Sequence, residues 1–305
     1  MKFTLTFGFV ILFSYSFAQK TRPSLNLTIG ETYYLTSAST STNIQGVNGM
    51  ENRVNVSATL RLAFKVKSVQ DTVYLMDVSY RSIDMRISMA DTTIKMNTAM
   101  FGKLDTPSLM LSKMINKPFE LTMSTKGKVK SITRINEIIT TAVNNFTLKD
   151  TLKSRQVLSQ FEQSFGENAV RGLLERGLAV FPDKPVSKNE RWTIGIELAA
   201  PYPMKLQTVY RLFDDSASVY EVYGDGTMYS DTTAKPLEIN GVPVKYKLNG
   251  TTLTDITVNK ATGWISEIKE RQWMSGNIQI SDNPKIPGGM IVPMTYNTEI
   301  TTTDN

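Results

Sequence analysis

The chain has 305 residues, with 34 basic and 28 acidic side chains, a net charge of +6, and neither histidine nor cysteine. Lacking histidine, it can build no Ser-His-Asp triad and no histidine-ligated zinc or haem. Lacking cysteine, it can build no thiol nucleophile, disulfide, Cys-ligated zinc or iron–sulfur centre. Hydrophobic residues at 41% are ordinary for a globular protein that must stabilise itself by burial. The basic residues are scattered, with Lys126, Lys128 and Lys130 the only local run. Alternate spacing puts that run on one solvated strand face, and nucleic acid is not an expected partner.

Lys2, the apolar run Leu5 to Phe13 and the small residues before Ala18-Gln19 make the pattern of a cleavable signal peptide over residues 1–18. Export to the periplasm, the outer membrane or the exterior is the expectation. No later run approaches the ~18 apolar residues a membrane helix needs, so no transmembrane segment is expected in the mature chain.

From Val54 to Val66 apolar and polar residues alternate, the mark of an antiparallel strand with one wet face. Gln70-Asp71 turns the chain into a strand carrying Tyr74, Met76, Val78 and Tyr80. The parity then flips to Ile83, Met85, Ile87 and Met89, so a bulge near Arg81-Ser82 is predicted. Asp91-Thr92 turns into Ile94, Met96 and Thr98. Phe119, Leu121 and Met123 form a hairpin through Lys126-Gly127 with Val129 and Ile132.

The period then becomes helical. Ile135, Ile138, Ile139, Ala142, Val143 and Phe146 form one stripe, with Thr133 or Asn136 as cap. Leu158 to Phe165 predicts a second helix, and Val170 to Leu178 a third after Gly166. Pro182 and Pro185 end the helical region. Strands resume at Trp192–Leu198, Met204–Phe213, Ser218–Tyr223, Val244–Thr252, Asp255–Asn259, Gly263–Trp273 and Ile291–Thr301. Asp214-Asp215 and Asp225-Gly226 read as turns. The expected fold is α+β, predominantly antiparallel. A curved meander sheet or half-barrel takes a β region at 24–132 and another at 190–303, with a helical segment at 133–181 packed against it, all in one domain.

The two β regions echo each other. Gly30-Glu31-Thr32-Tyr33 and Asn189-Glu190-Arg191-Trp192 open them; a Gly hairpin at 125–132 and another at 262–268 stand near their ends. An old duplication and a shared turn chemistry explain this equally well.

Two enzyme chemistries survive the composition: paired carboxylates for glycoside hydrolysis and a Ser-Lys dyad. Ser112-Lys113 are adjacent rather than spaced as Ser-x-x-Lys, and Thr125-Lys126-Gly127 is a hairpin turn. No catalytic residue, metal ligand or cofactor is assigned.

Ala18-Gln19, Gly30 to Tyr33, the helical stretch, Pro182-Asp183-Lys184-Pro185-Val186 before Trp192, and Thr262-Gly263-Trp264 together resemble uncharacterised secreted proteins of the Bacteroidota. That resemblance covers most of the chain and implies no activity. More loosely, the layout is similar to periplasmic lipoprotein carriers, in which a curved sheet wraps around helices and leaves an apolar hollow. Asp71-Thr72-Val73, Asp91-Thr92-Thr93, Asp150-Thr151-Leu152, Asp215-Ser216-Ala217 and Asp231-Thr232-Thr233 resemble the O-glycan acceptor triplet of exported Bacteroidota proteins. Asp-Thr is equally good turn chemistry.

Eight of the 15 methionines lie between residues 76 and 123. Met pairs four apart suit a soft Cu(I) or Ag(I) ion in principle, but no histidine or cysteine supports one. Met also fills irregular cores and lines deformable pockets. The sequence therefore points first to a non-catalytic binding module for a lipid-like or other hydrophobic small molecule, in an apolar cavity walled by Met76, Ile83, Met85, Ile87, Met89 and Met96. The alternative is a structural or interaction protein of the cell envelope, using Thr/Ser-rich strand faces at Thr36–Thr42 and Thr298–Thr303 to meet an envelope protein or glycans.

Overall fold

The structure, a computed structural model, describes residues 20–305 apart from 48, 99–104, 147–150, 201, 232, 234 and 240. The signal segment with Ala18 and Gln19 lies outside the described residues, as do Met100 and Asp150.

The first β region holds β1 (Thr32–Val47), β2 (Met50–Gln70), β3 (Val73–Met89), β4 (Thr92–Asn97), β5 (Phe119–Ser124) and β6 (Val129–Thr133), with α1 (Thr106–Ser112) before β5. Then come α2 (Ile135–Asn144), α3 (Thr151–Phe165) and α4 (Glu167–Leu178). The second β region holds β7 (Arg191–Leu198), β8 (Met204–Asp215), β9 (Val219–Ser230), β10 (Leu237–Ile239), β11 (Val242–Asn259), β12 (Ile265–Ile280) and β13 (Met290–Thr303). All join one 13-stranded sheet in the order β6-β5-β3-β2-β1-β13-β12-β11-β9-β8-β7, with β4 beside β3 and β10 beside β11. Every pairing is antiparallel, and the open sheet is curved. The two regions are welded where β1 lies along β13, from Thr36↔Thr303 to Gln45↔Met294.

The parity flip in β3 is a bulge, as the sequence implies. Arg61 pairs Ser82 and Leu62 pairs Tyr80, so Arg81 is the extra residue. Tyr74, Met76, Val78, Tyr80 and Ile83 thereby all face the core. The helices pack on this inner face, filling one large cluster with Phe64, Leu121, Ile139, Leu174 and Trp264. A second apolar cluster lies at the other ends of β8, β9, β11, β12 and β13, around Leu206, Met228, Leu248, Met274 and Met294.

Polar pins hold the layers together. Trp264 Nε1 donates to the Tyr34 carbonyl at 2.9 Å, Trp192 Nε1 to Val180 at 2.9 Å, and the Tyr80 hydroxyl to Phe165 at 2.9 Å. At the β6 edge, Glu175 accepts from the Val129 N–H at 3.1 Å while Arg171 donates to the Val129 carbonyl at 3.0 Å. Helix α4 thus satisfies an edge residue that would otherwise invite another strand. The N-terminal stretch ties the two wings: Leu25 N–H meets Thr125 and Asn26 N–H meets Thr262, the turns of the β5–β6 and β11–β12 hairpins. These are the echoed hairpins, and they occupy equivalent places in the strand succession that opens with β1 and with β7.

Three local expectations are corrected. The residue capping α2 is Arg134, at φ 72° and without a side-chain cap, rather than Thr133 or Asn136. Asp225-Gly226 lies inside β9 instead of in a turn. A Cβ on Gly224 would stand 2.8 Å from Tyr210 Cε1, and one on Gly226 2.6 Å from Thr252 Cγ2. These glycines are there for close packing by cross-strand neighbours. The stretches 244–252 and 255–259 are one strand, β11, because Thr254 and Asp255 keep the alternation and pair on both sides. Helix α1 was not foreseen; Asp105 caps it, its Oδ1 accepting from Ser108 N–H at 2.8 Å. Three of the five Asp-Ser/Thr triplets fall wholly within the described residues, at or next to strand ends; Asp150 and Thr232 of the other two lie outside them, while Asp231 accepts from Thr233 N–H at 2.9 Å.

Burial pushes the phenols of Tyr80, Tyr202, Tyr210 and Tyr246 above their ordinary range. A group whose folded pKa is raised contributes stability below its unfolded pKa, near 10 for tyrosine, and loses it as pH rises further. Thermal midpoints measured from neutral pH upward should hold steady and then fall above about pH 10. Phenolate absorbance titrating every tyrosine near pH 10 in the still-folded protein would contradict this burial.

Candidate functional site

The inner face is not uniformly covered. Met76 and Ile83 are fully buried beneath the helices, part of the packed core. Beyond Ile83 the same face runs outward with less cover. Met85 and Met96 are half-buried at the core's margin, Ile87 is half-buried, and Met89 is 37% exposed. Register sets beside them the apolar residues of β2: Val54 opposite Met89, Val56 opposite Ile87, Ala58 opposite Met85. On the other side Met96 pairs Met85 and Ile94 pairs Ile87. The six predicted wall residues therefore share one face, but they divide into two core members and four on an apolar strip three strands wide.

Across β1 this strip gives way to polar and small residues, Ser39, Ser41 and Asn43 opposite Ala58, Val56 and Val54. Register carries these rows on through Thr298 and Ile300, Gln272 and Glu270, Thr252 and Thr254, to Gly226 and Gly224. This waist separates the two apolar clusters. Glu270 is buried and accepts from Thr252 Oγ1 at 3.1 Å and Gln272 Nε2 at 2.6 Å. Buried Thr298 Oγ1, Asn43 Oδ1 and Arg176 Nε have no hydrogen-bond partner among the described residues. At one end of the waist Tyr202 packs tilted against Tyr246, ring centroids 4.4 Å apart, and accepts from Asn43 Nδ2 at 3.3 Å, bringing the β7–β8 connection over to β1.

Behind the waist, the outer face is hollow. A trough of about 920 Å³ crosses β7, β8, β9, β11, β12 and β13. Shared walls at Arg271, Glu299 and Thr301 continue it into hollows of about 340 and 300 Å³ over β1 and β2. Arg211 lies over the rings of Phe213 and Tyr223, 5.6 and 5.8 Å from their centroids. Asp225 and Asp255, on neighbouring strands in the trough, are both exposed.

The Thr-rich faces expected to be exposed are split by the pleat: Thr40 and Thr301 face the trough, whereas Thr298 and Thr302 are buried. Sequence reading missed the trough because its walls come from strands far apart in the chain. The one available signal was the wet parity of β8 to β13. No group of three or more acidic residues placed to hold a metal ion occurs among the described residues, and no described helix is long and apolar enough to cross a membrane.

No curated protein matches the chain. Among solved structures, a lipovitellin studied for its lipid–protein interactions aligns at 12% identity and TM-score 0.47, covering 92% of this chain. The chain spans about a quarter of that protein's length, the aligned share being 25%. The COG4313 outer membrane channel of Pseudomonas putida F1 aligns at 9% identity and TM-score 0.22, over 91% of this chain and 97% of the channel. Scores below 0.5 do not establish a common fold. A family model matches residues 71–265, from the β2–β3 turn to the start of β12, and the chain belongs to that family of unknown function, DUF6263.

Proposed function

We propose that the protein is an exported, non-catalytic binding module that takes a lipid-like ligand along the inner-face strip of Val54, Val56, Ala58, Met85, Ile87 and Met89. The observation carrying this is a contiguous apolar surface, continuous with the core yet left half-exposed beyond Ile83. Contiguous apolar surface of this kind marks a binding site, and flexible Met side chains adapt to acyl chains of varied shape. A curved sheet that holds helices at one end and leaves this strip at the other supports the same reading.

The environment-sensitive apolar probe N-phenyl-1-naphthylamine should gain fluorescence on binding the protein, and Ile87→Lys or Val56→Lys should weaken that binding at least tenfold. Both sites are half-buried, so the variants should keep the wild-type circular dichroism spectrum. Probe binding unchanged in both lysine variants would remove the strip from the site. A second reading, an envelope interaction protein, rests on the outer trough and its threonine-lined extension over β1 and β2.

A further inference from the structure

The outer trough has a chemistry of its own, independent of the apolar strip. Arg191 on β7 pairs directly with Arg211 on β8, on the outer face at the trough's end. Like charges directly opposite on neighbouring strands are destabilising. Neither guanidinium meets a carboxylate among the described residues; Arg211 instead lies over Phe213 and Tyr223. Contact with the rings confines the Arg211 side chain without using its N–H groups, which suit an oxyanion. Further along, cations and carboxylates alternate: Asp255 pairs Lys269, and Arg271 stands 3.8 Å from Glu299.

The trough and its extensions run from β7 to β2, roughly 34 Å at about 4.8 Å per strand spacing. That is the length of an extended polymer. Hydroxyls, mixed charges and exposed rings are the groups that hydrogen-bond sugar hydroxyls and stack on sugar faces. Asp225, Asp255 and Glu299 would repel a chain carrying a negative charge at every unit, polyphosphate or polyuronate alike, and suit one whose acid groups are spaced by neutral sugars. We propose that the trough binds a carboxylate-bearing glycan strand, with one uronate-type acid group held between Arg191 and Arg211.

The test uses the full mature protein with glucuronoxylan and hyaluronan oligosaccharides, whose uronates are separated by neutral sugars, titrated calorimetrically at low salt. Their methyl-esterified forms and polyphosphate serve as comparison ligands. At least one acidic glycan should bind, and its esterified form should bind at least tenfold more weakly. The double variant Arg191→Gln/Arg211→Gln should lose binding by a similar factor while its thermal midpoint stays level or rises, since a like-charge pair is removed. Ile87→Lys should leave glycan binding unchanged, which separates this site from the apolar strip. The proposal is overturned if neither acidic glycan binds, if the double variant binds as wild type, or if polyphosphate binds equally well.

Discussion

Trp264→Ala should destabilise the protein by about 3–5 kcal/mol, the range for deleting a large buried aromatic side chain. Trp264 is 3% exposed, immediately before β12. Its ring lies 5.2 Å from Tyr33 and 5.3 Å from Phe64, the latter edge-on. Its indole N–H is the donor to Tyr34 on β1, so one side chain joins the second β region to the first. Truncation would empty an aromatic cluster and break that bond together. Trp264→Phe should recover a good part of the loss because the ring contacts survive. Urea unfolding of both variants checks this, and an alanine cost under about 1 kcal/mol would mean the site repacks freely.

Gly127→Ala should cost on the order of 3 kcal/mol, from left-handed strain of about 1–3 kcal/mol with backbone displacement added. Gly127 has φ +77°, and an added Cβ would stand 1.8 Å from the Leu178 carbonyl oxygen. The obstacle is backbone, the end of α4, and cannot swing aside as a side chain would. The helix end would have to move, and with it the Glu175 and Arg171 bonds to Val129. Gly263, the matching hairpin glycine, meets the Ser24 carbonyl oxygen at 2.0 Å in the same way. Thermal unfolding of Gly127→Ala should show a clear fall in midpoint; a midpoint equal to wild type would mean that α4 does not press on this hairpin.

Much of the architecture was legible because the pattern is local. Alternation from Val54 to Val66, the parity flip at Arg81 and the stripe from Ile135 to Val143 each need only neighbouring residues. The run through Asp225-Gly226 misled because a glycine's role depends on what lies across the strand, here Tyr210 and Thr252. The α2 cap misled for a related reason: a left-handed Arg134 occupies the position where a Thr or Asn oxygen would serve. Alternation placed Met76 through Met96 on one face but could not say where helical cover would stop, since α3 and α4 are distant in the chain. The arginine pair and the trough depend on the register of β7, β8, β9, β11, β12 and β13, which no local pattern encodes.

The measurement that bears most directly on the binding reading is the intact mass of the protein, purified gently from its native cells, under native and then denaturing conditions. The account predicts a native mass excess that disappears on denaturation and is absent from Ile87→Lys prepared in the same way. Identical native and denatured masses for the wild-type protein, with no gain of probe fluorescence, would contradict it.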